Sequence, residues 1–316
     1  MPLALAMPLP GCEPEGPPDI AATRPCADEA FPMPNPASTG LPTPASYTVN
    51  ADDTVTDNVT TLTWERTVRA VIYPPAPSGH ASVPLNAYSQ LEAARHCADL
   101  GPGWRLPTRL ELVSLVDFTV NEPGPTIDQA AFPDTPVDFP YWTSSPDLGY
   151  STAWSVDFSK GATVGRINVS DPAQDLYVPN QLVRCVRWTT PRCQPDRFQL
   201  QAYGLVNDTA TGRTWQQSVT DGGSGLSWDA ATASCAGLGD GWRLPSLTEL
   251  QSIVDDTTRY PAIDTAVFPT DPADLFWTSS PELTIGGQGS IFAVFFGDGS
   301  TNANFWSNQG RVRCVR

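Results

Sequence analysis

The sequence predicts an α+β protein of two tandem domains, each with two short helices beside small antiparallel sheets and each stapled by a disulfide. Three observations predict it. The first is an internal repeat whose segments return in the same order: Gly103-Trp104-Arg105-Leu106-Pro107-Thr108 as Gly241-Trp242-Arg243-Leu244-Pro245-Ser246, Tyr141-Trp142-Thr143-Ser144-Ser145-Pro146 as Phe276-Trp277-Thr278-Ser279-Ser280-Pro281, and Arg184-Cys185-Val186-Arg187 as Arg313-Cys314-Val315-Arg316. Its period is far longer than the roughly 20 to 50 residues of a solenoid, so each copy is a whole domain. The second is composition: 33 prolines and 24 glycines in 316 residues leave little room for long helices, while 40% hydrophobic residues suffice for real cores. The third is that Cys97 aligns with Cys235 and Cys185 with Cys314. The expected organisation is a leader over 1–12, a proline-rich tether over 13–45, copy one over 46–188, a short linker over 189–196 and copy two over 197–316.

Each copy opens with a hairpin. Thr54-Val55-Thr56 and Leu62-Thr63-Trp64 are β-prone and alternate, with 57–61 turning between them. Asp57 to Trp64 aligns with Asp208 to Trp215, and Gly212 gives the second turn a residue suited to positive φ. A helix follows over Gln90 to Leu100, introduced by Ser89 and Glu92 in a capping-box pattern; Ser227 takes that cap in copy two without the glutamate. A second helix is expected after each Trp-Arg-Leu-Pro, because Thr108 with Glu111 and Ser246 with Glu249 have the S/T-x-x-E form. Leu112, Leu115 and Val116, like Leu250, Ile253 and Val254, recur at helical spacing and should face the core, with helix ends near Asp117 and Asp255. The rest reads as short strands: 153–158 matches 292–296, Gly297-Asp298-Gly299-Ser300 is a hairpin turn, and each last strand carries a cysteine.

Seven cysteines leave one odd in an oxidising compartment. Pairing Cys97 with Cys185 and Cys235 with Cys314 staples first helix to final strand in each copy. Loops of this size stabilise by about 4–5 kcal/mol in the chain-entropy model. Leu9-Pro10-Gly11-Cys12 resembles the lipobox of bacterial lipoproteins, although Pro10 stands where a small or β-branched residue is usual; the alternative is a leader with a chance cysteine. If Cys12 is lipidated, Cys26 is left to pair with Cys193 and pin the tether to the linker. The expected location is the cell surface or the extracellular space.

The net charge of −16 gives nucleic acid or an acidic membrane nothing to hold. No stretch approaches the roughly 20 apolar residues of a membrane span, so membrane attachment would run through a lipid anchor alone. There is no G-x-S-x-G, H-E-x-x-H, P-loop or G-x-G-x-x-G. Without a C-x-x-C, His80 and His96 cannot complete a zinc set, and no metal, cofactor or catalytic residue is expected. His96 beside Cys97 could mark a reactive thiol, but Ser234 replaces it in copy two, so it reads as an exposed helix residue. Asp52-Asp53 and 271–274 read as turns, without the ladder of a calcium loop.

Two segments remain as binding candidates. The Trp-Thr-Ser-Ser pair offers either a polar ledge beside an aromatic face or a core tryptophan whose neighbouring hydroxyls satisfy strand ends, and the second is the expectation. Residues 302–308 are rich in amides and aromatics, and the copies differ most there; 168–180 fills that place in copy one. Asn302, Asn304, Trp306 and Asn308 are therefore the candidate ligand-binding residues, in what is either a specificity loop or an unconstrained surface loop.

The 57–64 hairpin, Trp-Arg-Leu-Pro-Thr followed by Glu-Leu, Trp-Thr-Ser-Ser and Arg-Cys-Val-Arg together resemble the domain family at the C-terminus of bacterial collagen-like adhesins, the Lcl C-terminal domain. The resemblance covers both copies and implies a relation to the C-type-lectin-like fold and to the sulfatase-modifying group on it. It implies non-catalytic extracellular attachment, to a glycan or a surface protein. A degenerate sulfatase-modifying-type enzyme and a purely structural envelope component are the alternatives. The enzyme would need a cysteine pair beyond the predicted bridges, which neither copy has. Trp306-Ser307-Asn308 only echoes the Trp-Asn-Asp of calcium-dependent lectins, and a sulfated glycan would need arginines such as Arg311 and Arg313 to gather on one face.

Overall fold

The structure is a computed structural model that describes residues 32–68, 88–120, 123–148, 152–168, 181–188, 196–219, 224–269, 273–282 and 289–316. Cys12, Cys26, Cys193 and His80, with the lipidation and the Cys26–Cys193 pairing expected of them, lie outside these residues.

Copy one runs β1 (Tyr47–Val49), β2 (Thr54–Asp57), β3 (Thr63–Glu65), α1 (Gln90–Asp99), β4 (Trp104–Arg105), α2 (Arg109–Val113), β5 (Tyr141–Asp147), β6 (Thr152–Asp157), β7 (Ala162–Asn168) and β8 (Val186–Arg187). Copy two repeats the plan as β9 (Phe198–Gln201), β10 (Leu205–Asp208), β11 (Arg213–Gln216), α3 (Trp228–Ala236), α4 (Leu247–Gln251), β12 (Leu275–Glu282), β13 (Ser290–Phe295) and β14 (Ser300–Phe305). The expected hairpins form, with Val55 opposite Trp64 and Val206 opposite Trp215. Each gains an outer strand, β1 or β9, that the sequence reading missed. Each copy then adds an antiparallel meander, β5-β6-β7 or β12-β13-β14. The α+β class with small antiparallel sheets is thus observed.

Both expected bridges are present: Cys97–Cys185, with Cα atoms 5.4 Å apart, and Cys235–Cys314, at 5.5 Å. Each sits in a small apolar cluster between the first helix and the meander, separate from the larger core around Trp64 or Trp215.

The second helices are shorter than expected, ending at Val113 and Gln251 rather than near Asp117 and Asp255. Ser114 and Ser252 turn their hydroxyls back to the carbonyls of Glu111 and Glu249 at 2.6 Å. Beyond them the backbone tightens into i→i−3 bonds such as Val116 to Val113, a common way for a helix to end. Leu115 and Val116 stay buried nonetheless. Among the described residues, three of the four α-helix caps are full boxes; Ser227 holds its position but its side chain accepts no cap bond.

The end of the expected tether is a packed strap. Met33 is buried in the core of copy one. Asn35, fully buried, accepts from the Ser246 and Thr248 hydroxyls of copy two and donates to Glu249 at 3.2 Å. The pull of buried, satisfied polar groups overrides the extended preference of the prolines around them.

The copies meet through equivalent strands, in the isologous manner of a twofold dimer. β7 lies beside β14, and the Thr301 amide donates to the hydroxyl of its own counterpart, Thr163, at 2.7 Å. On one side of this axis the buried Arg109 guanidinium pairs with Asp256. On the other, the residues aligned with them are Leu247 and Phe118, which share one apolar cluster.

Candidate functional site

The repeated motifs hold the scaffold. Arg105 makes a two-pronged pair with Glu111 at 2.7 and 2.6 Å, and Arg243 does the same with Glu249 at 2.7 and 2.8 Å. Each of those glutamates also accepts the amide of its own helix cap, Thr108 or Ser246. Arg184 and Arg313, fully buried, donate to the carbonyls of 65–66 and 216–217 and lie over Phe132 and Phe268. Arg313 is therefore not on any binding face, and Arg311 lies 3.6 Å from Asp274.

The Trp-Thr-Ser-Ser segments take the core role expected of them. Trp142 and Trp277 are fully buried and donate to the Tyr88 and Leu226 carbonyls at 2.7 Å. Thr143 and Thr278 donate across the meander to 154 and 292. Ser145 and Ser280 accept the first amides of α2 and α4, at 3.0 and 2.9 Å, and so satisfy donors that a helix start leaves unpaired.

His96 is a correction. It is half-buried rather than exposed, with its ring 5.2 Å from that of Tyr88 and its Nε2 3.8 Å from Glu65. The reason is its place on α1 against the hairpin, where Gln216 and Ser234 stand in copy two. Atoms of Glu65, His96 and Cys185 come within 4.8 Å of one another, but the Cys185 sulfur is committed to its bridge, leaving two donors where a zinc site needs three or four.

At the copy junction lies a cleft of about 530 Å³ lined by Asp147, Trp154 and Thr163 of copy one and by Asp274, Leu275, Phe295, Asp298, Ser300, Thr301 and Asn302 of copy two. Register explains its form. Leu275, Phe295 and Ser300 stand opposite one another across the sheet, and Trp277, Ala293 and Asn302 form the next row on the same face. Trp277 and Ala293 belong to the cluster that α3 covers, while the Leu275 end opens into the cleft. Trp154 forms the floor, itself buried, with the Arg109 guanidinium 4.2 Å from its ring.

The four residues picked out by sequence are split by the structure. Asn302 and Asn304 are on strand β14, not in a loop, and lie on the face that runs from the cleft. Asn302 lines the cleft and donates to Ser300 at 3.1 Å. Trp306 and Asn308 are exposed in the turn that follows, with Asn308 donating to Asn304 at 2.7 Å. The strand reading was hidden because amides are poor strand formers, and pairing of 302 with 293 and 304 with 291 overrides that preference.

Sequence reasoning missed Asp147, Trp154, Asp274, Phe295 and Asp298. A signal existed in the alignment of the two copies: Phe295, Asp298, Ser300 and Asn302 replace Asp157, Lys160, Ala162 and Val164. Only copy two carries this set of one aromatic and three polar side chains.

A family model described as the Lcl C-terminal domain matches residues 53–187 and again residues 204–316. No curated protein matches the chain.

Proposed function

We propose that this chain, which belongs to the Lcl C-terminal domain family, is a non-catalytic adhesion or ligand-binding protein of the cell surface or extracellular space that takes a glycan in the cleft between its copies. The observation that carries the reading is the cleft itself, with hydroxyls and an amide beside an apolar wall of Leu275 and Phe295. That combination suits a sugar, which presents hydroxyls at its rim and C–H groups on its face. The amide row of 302 and 304 and the exposed Trp306 extend the surface away from the cleft. Two buried disulfides support an oxidising compartment. A lipid anchor at Cys12 is part of the same proposal. A C-type-lectin-like arrangement of each copy is also proposed, supported by two helices beside small sheets and a bridge from the first helix to the closing segment of the copy. The four cysteines within the copies are held in bridges, which favours binding over thiol chemistry.

A glycan array probed with the whole chain tests the reading. Binding to at least one saccharide class is expected, reduced about tenfold by Asn302→Ala, on the scale of one lost polar contact to a ligand. Silence across neutral, amine-bearing and sulfated saccharides alike would sink it.

A further inference from the structure

Resting on that reading, we infer that the cleft selects a positively charged saccharide, an oligomer of unacetylated amino sugar, and that both copies hold a single such ligand. Among the described residues of the cleft lining, the charged side chains are three carboxylates, Asp147, Asp274 and Asp298. Of the nearby guanidiniums, Arg109 is engaged by Asp256 and Arg259 by the Leu148 carbonyl, while Arg311, 3.6 Å from Asp274, offsets one of the three charges. An ammonium group entering beside Phe295 meets Asp298 and Asp274 of copy two across from Trp154 and Thr163 of copy one, whereas a sulfate meets the same charges as repulsion, in a chain already at −16.

The apolar wall makes the ligand more than a counter-ion. Leu275 and Phe295 are cross-strand neighbours, both partly exposed, and give a ring face to lie on. Tyr260, more than half exposed, meets Phe295 edge-on with ring centres 6.4 Å apart and lengthens that wall. The asymmetry of the copies fixes the stoichiometry. The twofold-related position has Lys160 for Asp298 and Val164 for Asn302, so one ligand per chain is expected rather than two.

The test is calorimetric titration of the whole chain with a glucosamine hexamer, its fully N-acetylated counterpart, a sulfated hexamer and hexalysine. The inference expects one glucosamine hexamer per chain, with N-acetylation weakening binding at least about tenfold, as loss of a charge-assisted contact does. Asp274→Asn and Asp298→Asn should each weaken it by about tenfold. Asp274 is exposed and accepts the Leu275 amide, Asp298 accepts the Ser300 amide, and an asparagine oxygen can still accept either, so both variants should keep the fold, as melting of each beside the native chain checks. Equal binding of the acetylated hexamer, unchanged in both variants, would overturn the charge selection and leave a glycan site standing. Binding that chelator abolishes, or hexalysine bound as tightly as the sugar, would also overturn it, in favour of a bridging cation or a basic peptide. No heat with any saccharide removes the glycan reading with it.

Discussion

The two copies use one glutamate in two ways. In copy one, Glu111 is held by Arg105, its cap amide and the indole of Trp188 at 2.9 Å. In copy two, Glu249 faces a second guanidinium, Arg213 at 2.9 Å, and the strap amide of Asn35. Leu62 occupies the position of Arg213 in copy one. The same split recurs at the junction, where Arg109 and Asp256 on one side answer Leu247 and Phe118 on the other. What the copies share builds each domain and pairs their equivalent strands; what they do not share makes the junction asymmetric and shapes the cleft.

The junction offers the largest test of that division. Asp256→Ala strands the Arg109 guanidinium in a buried site and should cost about 3–5 kcal/mol. Copying the other side of the axis, as Arg109→Leu with Asp256→Phe, removes both charges and should recover most of the loss, because buried ion pairs are often replaceable by packed apolar groups. Urea unfolding of the single and double variants measures both. A double variant as unstable as Asp256→Ala would mean that the two sides of the junction are not interchangeable in packing, and that the twofold likeness is limited to the strands.

How much of this was legible depends on the range of the interaction. The three capping boxes, the hairpins and the Cys97–Cys185 and Cys235–Cys314 bridges follow from local spacing and from the repeat, and they stand as expected. The strap was not legible: Asn35 in a proline-rich run looks like any tether residue until Ser246, Thr248 and Glu249, more than 200 positions away, come to meet it. Arg313 could be taken for a surface cation because nothing local to it shows the carbonyls of 216–217 that bury it. The cleft was hidden for the same reason. Its two walls come from different copies, and no single window of sequence contains both Asp147 and Asp298.

Glu249 should give an effect of middle size, and one with a pH signature. Burial alone would raise its carboxyl, but the Arg243 and Arg213 guanidiniums and the Ser246 amide outweigh it and hold the group down to about 2. A carboxyl lowered in the folded state stabilises in full above its unfolded value of 4.5, and the contribution is lost as pH falls toward 2. The amount is on the order of 3 kcal/mol. Glu249→Gln should forfeit a similar amount at neutral pH and flatten the acid limb of the stability curve between those values. Circular dichroism melts across that range measure it; an unchanged acid limb in the variant would assign the stability to other groups. Glu111→Gln, with one guanidinium fewer to strand, should cost less at neutral pH.

The smallest effect comes from the hairpin aspartates, where the copies differ in sign. Asp208 is buried and takes both prongs of Arg197, at 2.9 and 2.7 Å. Asp57, its counterpart, has Ser46 at the arginine's position and accepts the Val59 and Thr60 amides on Oδ1, while Oδ2 has no hydrogen-bond partner among the described residues. Burial raises the Asp57 carboxyl, and the bonds from Thr60 and Val59 only partly oppose it. A raised carboxyl penalises the fold in full above its folded pKa, and the penalty fades as pH falls through that value. Asp208→Asn should therefore destabilise by about 2 kcal/mol, the scale of a hydrogen bond to a charged group. Asp57→Asn keeps an oxygen for the two amides and sheds the charge, so it should be neutral or stabilising by up to about 1 kcal/mol at pH 7. Its advantage over the native chain should shrink in acid, where Asp57 is itself protonated. Calorimetric melts of both variants at neutral and acid pH decide it. Equal losses in the two would show that the turn needs a carboxylate whatever stands beside it, and that the arginine of copy two is a later ornament on a shared requirement.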